Sequence, residues 1–213
     1  MIREYNIRHI RTYENAMKLI SGQSDGTMLT GDDYREARRI IERQAKYLAE
    51  LKYPIDVILH SPQGRTTHTV EIIKEFLPDV PTDSLEYMTE YNWGPYEAQP
   101  KTVLGMPTRI YAITQDDPRT ENMKHFIDRV NEYHETLFER YKGLSILSVG
   151  HGFWFAVRRN LALGQEPSPE NTRILHNGQF HIYEWKDNGE LMACRFGKMK
   201  SKKHSLAETP LPE

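Results

Sequence analysis

Two short apolar stretches in this chain end the same way: Ile7-Arg8 runs into His9, and Leu144 to Val149 runs through Gly150 into His151-Gly152. Each histidine then hands over to the start of a helical pattern. A strand that stops at a histidine and turns into a helix N-terminus constrains the fold more than overall composition does. Parallel strands of one sheet point their carboxyl ends in one direction, so both imidazoles fall at a single edge, where α/β proteins bind their ligands. Arg8 precedes the first histidine and the turn Thr12 to Asn15 enters a helix, a setting that suits an anion. By itself the same turn also reads as a solvated loop capped by Thr12, so other parts of the chain have to supply matching groups.

Several do. Ala37, Ile40, Ile41, Ala45 and Leu48 recur at helical spacing, which predicts an amphipathic helix over Asp33 to Leu51. Ile55 to Leu59 is short, apolar and β-branched, which reads as a buried strand ending at His60-Ser61-Pro62. Gly64 to Thr69 then opens a helix continued by Val70, Ile72, Ile73, Phe76 and Leu77, so Arg65 sits at a helix start after a strand end. The helix dipole disfavours a cation there unless an anion accompanies it. Two histidines and two arginines are thereby expected at one sheet edge.

Pro78 to Lys101 holds four prolines and no regular apolar period, so the stretch 78–120 is read as a surface excursion lying over the site. Tyr111 to Thr114 fits a strand or an irregular return equally well. From Glu121 a helical stripe follows, through Met123, Phe126, Ile127, Val130, His134, Leu137, Phe138 and Tyr141; on it His134 reads as a core-edge histidine, not a ligand. Phe153 to Leu163 is a further helix, and Asp187-Asn188-Gly189 between Gln179–Trp185 and Leu191–Phe196 signals a hairpin. The whole predicts a three-layer α/β/α sandwich with a mostly parallel central sheet flanked by helices, as a single domain over 1–197, with 198–213 a flexible tail.

Charge narrows the class of partner. Lys plus Arg total 28 against 30 Asp plus Glu, a net charge of -2, so no general attraction to nucleic acid or to an anionic membrane is expected and any anion site must be local. The single cysteine, Cys194, excludes an intramolecular disulfide and is consistent with a cytoplasmic setting. No apolar run approaches 18 residues. No H-E-x-x-H, Walker-type loop or G-x-G-x-x-G occurs, which counts against zinc hydrolase, nucleotide hydrolase and dinucleotide chemistry. Neither a metal nor a cofactor is expected.

Arg8-His9-x-x-Thr12-x-x-Asn15, Gly22-x-x-Asp25, Ser61-Pro62-x-x-Arg65-x-x-His68-Thr69, Glu90 with Gly94 four residues on, Thr120-Glu121-Asn122 and His151-Gly152 occur in this order. Together they resemble the ordered blocks of the histidine phosphatase (phosphoglycerate mutase-like) superfamily, and specifically its phosphatase branch. The resemblance implies that His9 is the nucleophile, Glu90 the general acid and His151 a third catalytic group, with Arg8, Arg65, Asn15 and Gly152 holding the phosphate. Glu90 is selected over Glu86 by its spacing to the glycine, and Glu97 falls where the family often has a second acid. Two departures stand out: Ile10-Arg11 replaces the family's Gly-Glu or Gly-Gln, and Gly150 replaces a frequent serine. Arg11 is therefore a candidate determinant of substrate specificity. The expected activity is hydrolysis of a small phosphate monoester through a phosphohistidine. The alternatives are phosphoglycerate mutase-type phosphoryl transfer or a member that binds a phosphorylated ligand without turnover.

Overall fold

Three strands with no face left for water form the centre of the molecule: β1 (Ile2–Arg8), β2 (Val57–His60) and, later in the chain, β4 (Ser145–Gly150). Every residue of β2 and β4 is buried. Neighbouring residues on a strand point to opposite faces, and here they enter two different cores. Val57 and Leu59 pack with Ile146 on one side of the sheet, whereas Ile58 packs with Leu147 and Val149 on the other. A sheet with two buried faces needs a helical layer on each.

The helices provide them. After the short α1 (Tyr13–Ala16), the amphipathic helix α2 (Gly31–Ala49) and α3 (Gly64–Lys74) cover one face through Ala37, Ile41, Ala45, Leu48, Val70 and Ile73. The helices α5 (Met123–Arg140) and α6 (Gly152–Ala162) cover the other through Phe126, Val130, Tyr133, Trp154 and Phe155. Each such apolar side chain taken from water contributes about 1.5–3 kcal/mol, which is how the pattern in the sequence becomes a layer.

The structure is a computed structural model that describes residues 1–198 and 208–209. Its sheet has the order β3-β2-β4-β1-β5-β6-β7, where β3 is Thr82–Ser84, β5 Gln179–Trp185, β6 Leu191–Lys198 and β7 Glu208–Thr209. The first four strands of that order are parallel and the last three pair antiparallel. The expected α/β sandwich with a mostly parallel sheet is thus what forms, and the β5–β6 hairpin turns at Asp187-Asn188-Gly189 as expected. Of the C-terminal stretch 198–213, residues 199–207 and 210–213 lie outside the described residues.

Two readings change. Tyr111 to Thr114 belongs to a helix, α4 (Thr108–Thr114), which starts directly after Pro107. The stretch 78–120 is more than a surface excursion, because Leu85, Met88, Tyr91, Trp93, Leu104 and Ala112 are buried in the α5/α6 core. The irregular segment between its short 3₁₀ turns buries large aromatics without a helical or strand period: the Tyr91 ring lies 5.3 Å from Phe126 and 5.7 Å from Phe153. A periodicity argument has nothing to detect there.

Candidate active site

Register places the two histidines side by side. In the β1–β4 ladder Arg8 pairs with Gly150, so His9 and His151 are the next residues on adjacent parallel strands, and the His9 amide donates to Gly150 O at 2.9 Å. Their rings lie 5.4 Å apart. On the other side of β4, β2 ends at His60, and the turn Ser61 to Gln63 leads into α3 and Arg65. All four groups expected at one edge converge.

Hydrogen bonding fixes the chemistry of each ring. His9 Nδ1 lies 2.6 Å from Ile10 O, a contact that only a protonated Nδ1 can make favourably, so Nε2 carries the lone pair. Arg65 Nε donates to that Nε2 at 3.2 Å, and Arg65 Nη2 meets His151 Nδ1 at 3.0 Å. The His151 proton is then on Nε2, which is buried and has no partner among the described residues. Burial, reinforced by the charges of Arg65 and Arg8, holds His9 well below the usual histidine range. Burial, then Arg65, does the same to His151. Both rings are neutral at physiological pH.

Arg65 is 1 % exposed, and burial pushes its guanidinium down to about 10. Its remaining donors go to the carbonyls of Gly22 (2.7 Å) and Ser24. The same loop places an acid at the start of α3, where Asp25 Oδ1 accepts from the Gly64 amide at 2.9 Å. Arg8 is also desolvated; its Nη1 donates to Leu175 O at 3.3 Å and its Nε has no partner among the described residues. Gly152 is needed for this placement, because a Cβ there would lie 2.8 Å from Ile174 Cγ2 and 3.1 Å from the Arg8 guanidinium.

Glu90 reaches the same place from the 78–120 stretch. Its carboxylate accepts from the amides of Phe153 and Trp154, both at 3.1 Å, in the first turn of α6. The segment before it is clamped by Arg129, which donates to Tyr87 O and Thr89 O at 3.0 Å and pairs with both oxygens of Glu121. Glu86 is exposed, and Glu97 is used by the Gln23 and Trp93 amides, so of the three acids Glu90 is the one on the site.

A cavity of about 360 Å³ opens onto Arg8, His9, Arg11, Asn15, Arg65, Glu90 and Gly152. Asn15 is held by the Thr12 amide and by Ser21 Oγ, and Arg11 is exposed at the rim. Ile10 does not narrow this space: it is fully buried in the α2/α3 core, with its amide on Thr69 Oγ1 at 2.8 Å. Gly150 also has a physical reason, since a Cβ would meet the Phe155 ring at 3.0 Å.

Sequence reasoning missed several lining or supporting groups. Lys101, Trp93 and Asn177 line the cavity, and Asn177 Nδ2 donates to the carbonyl of His9. Gln63 ties three parts together, donating to Gly22 O and Ser24 O and accepting from the Glu90 amide at 2.8 Å. Its position directly after Ser61-Pro62 was the available signal.

The sequence profile of the histidine phosphatase superfamily (branch 1) matches residues 5–195. The chain belongs to that superfamily. Among curated relatives it is 31 % identical over 196 residues to a probable phosphoglycerate mutase, GpmB, of Salmonella choleraesuis, covering 88 % of this chain and 87 % of that protein. It is 26 % identical over 186 residues to PhoE of Bacillus subtilis, described as an uncharacterized phosphatase, covering 84 % and 89 %. In structure it is similar to YhfR of Bacillus stearothermophilus (TM-score 0.72, 20 % identity, 90 % and 95 % covered). It is likewise similar to a phosphoserine phosphatase of Entamoeba histolytica solved with 3-phosphoglyceric acid (TM-score 0.71, 19 % identity, 94 % and 98 % covered). Among the described residues no helix is long and apolar enough to cross a membrane.

Proposed function

We propose that the protein hydrolyses a small phosphate monoester through a phosphohistidine on His9, without a metal ion. The observation that carries this reading is the tautomer of His9, whose Nε2 carries the lone pair and accepts from Arg65 in a ring that lines the cavity with two desolvated arginines. A phosphate oxygen is a better acceptor for a guanidinium than a neutral imidazole is, so bound phosphate competes for the Arg65 Nε proton and frees the lone pair. Nε2 then attacks phosphorus, forming the P–N bond as the ester P–O bond breaks. Arg8, Arg65, Asn15 and the His151 Nε2–H neutralise or bond the non-bridging oxygens, which is the main catalytic requirement of phosphoryl transfer.

The departing alkoxide takes its proton from the Glu90 carboxyl. Glu90 then receives a proton from the water that attacks phosphorus, breaking the P–N bond and releasing inorganic phosphate. Hydrolysis is preferred over mutase transfer because the stretch between Arg65 and His151 is compact, like the shorter phosphatase branches. The relation to a probable phosphoglycerate mutase favours transfer as the second reading. Arg11, a cation at the cavity rim where the family has an acid or amide, is assigned a part in specificity.

Incubation with a ³²P-labelled ester and quenching in alkali tests the proposal. The expected result is an acid-labile, base-stable label on wild type, absent with turnover in His9→Ala. Full activity of His9→Ala would remove the mechanism, and phosphate appearing on an added phosphorylated acceptor instead of in water would convert the reading to a mutase.

A further inference from the structure

Beside the catalytic cavity lies a larger groove of about 650 Å³, and its walls carry cations from three separate elements: Arg109 on α4, Arg159 on α6 and Arg173 in the loop that leads to β5. Neither Arg109 nor Arg173 has an ion pair among the described residues, although exposed arginines elsewhere on the surface do. The acid on the groove's rim is Glu170, which accepts from Ser168 Oγ at 2.8 Å. The base of the groove contains His181, 6 % exposed, whose Nδ1 has no hydrogen-bond partner among the described residues. Its ring packs edge-on against Phe196 at 4.9 Å, and the Arg159 guanidinium lies 4.7 Å over the same Phe196 ring. Burial, and next to it Arg159, holds His181 down to about 3, so it offers a neutral imidazole and not a fourth charge.

The groove and the catalytic cavity share a wall. Ile174 and His176 line both, and the segment that carries them is tied to the proposed reacting groups: Leu175 O accepts from Arg8, the Leu175 amide donates to Gly152 O, and Asn177 holds the His9 carbonyl. A ligand that extends past this wall has its reacting phosphate at His9 and its far end among the three arginines. Guanidiniums without an ion pair on a concave surface match a carboxylate or a phosphate.

We propose that the substrate is a phosphate monoester bearing a second anionic group remote from the reacting phosphate, and that this group is seated in the groove by Arg109, Arg173 and Arg159. This assignment rests on the phosphatase reading for its reacting end. The test uses the full chain and Arg109→Gln/Arg173→Gln, with each single variant alongside. Probes are α,ω-alkanediol bisphosphates, phosphooxyalkanoates and alkyl monophosphates of matched, increasing chain length. The expected result is that the double variant loses about tenfold or more in kcat/KM on the probes with an anionic tail, the value of one charge-assisted hydrogen bond, while the alkyl monophosphates change little. Loss confined to the bisphosphates identifies a phosphate, and equal loss on the phosphooxyalkanoates identifies any anion. A uniform change across all three series, or none, overturns the groove.

If wild type turns over no ester, the phosphatase reading fails by itself. The same bisphosphate and alkyl monophosphate are then titrated calorimetrically. Tighter binding of the bisphosphate to wild type than to the double variant keeps the groove, and equal binding removes it.

Discussion

Buried charge occurs twice along β1, and the two occurrences are opposite in kind. Midway along the strand, Glu4 is fully buried on the α5/α6 side, paired with Arg158 of α6 at 2.9 Å, and it also accepts from Trp185 Nε1 and Tyr133 Oη. Arg158 lies against the rings of Tyr133, Tyr183 and Trp185. At the end of the same strand, Arg8 and Arg65 are desolvated, and among the described residues neither forms an ion pair; Arg65 spends its donors on carbonyls and neutral imidazoles. A satisfied buried pair holds structure together, whereas desolvated cations without a carboxylate partner are stabilised when an anion arrives. The first region is scaffold, and what is missing from the second is what suits it to the phosphate proposed for it.

The largest effect expected concerns the acid that serves this cation cluster. An alkoxide must be protonated as the P–O bond breaks, whereas p-nitrophenolate departs unaided. General acid catalysis is worth ~10²–10⁴-fold. Glu90→Gln is therefore expected to slow single-turnover phosphorylation by an alkyl ester by about that factor and by p-nitrophenyl phosphate much less. Equal slowing on both esters would reassign Glu90 to holding the N-terminus of α6, through the Phe153 and Trp154 amides it already accepts.

The next effect sets the two regions directly against each other. Arg158→Met leaves Glu4 buried without its partner, which is expected to cost about 3–5 kcal/mol, read as a lower urea midpoint at unchanged slope. Arg65→Met removes an unpaired cation. The Gly22 and Ser24 carbonyls it leaves still accept from Gln63, so the cost in ligand-free protein is expected to be smaller. What it loses is the stabilisation by added phosphate, which for wild type at a concentration of 100 Kd amounts to about 2.7 kcal/mol. Equal destabilisation by the two substitutions, with the phosphate response intact in Arg65→Met, would erase the distinction.

The two regions also differ in how much of them the sequence exposes. The histidine edge is legible because its signals are local: a short apolar run, a histidine at its end, a helix start behind it. Arg65 is legible for the same reason, through Ser61-Pro62. Glu4 is not, because a glutamate between Arg3 and Tyr5 has the pattern of a solvated strand position, and only Arg158 and Tyr133, more than a hundred residues away, make its burial tolerable. Lys101, Asn177 and Gln63 escaped notice because tertiary contacts, not spacing, bring them to the cavity. The core residues of 78–120 went unread because aromatics on the irregular backbone between 3₁₀ turns carry no period.

The smallest effect separates the regions by pH. Burial, reinforced by Arg65 and Arg8, depresses both His9 and His151 in the folded protein, while unfolded histidine titrates near 6.5. Below that value the unfolded chain binds protons that these folded rings refuse. Stability is therefore complete above ~6.5 and declines as pH falls, by up to about 1.4 kcal/mol per pH unit for each ring. His134 and His181, both held down to about 3 by burial, add to the same slope from outside the site. Urea titrations at a series of pH values should accordingly show His151→Asn with a shallower decline than wild type by roughly one proton's worth. Saturating phosphate should flatten the wild-type curve as well, because an anion beside the rings favours their charged form and lifts the folded values back toward 6.5. His134→Phe should remove a similar share of the slope yet leave the phosphate effect whole, since that ring packs on Phe138 and Trp185, away from the cavity. A wild-type stability that stays level from ~6.5 to ~5, or a phosphate effect that survives unchanged in His151→Asn, would mean that the imidazoles at the strand ends do not share one field with the bound anion.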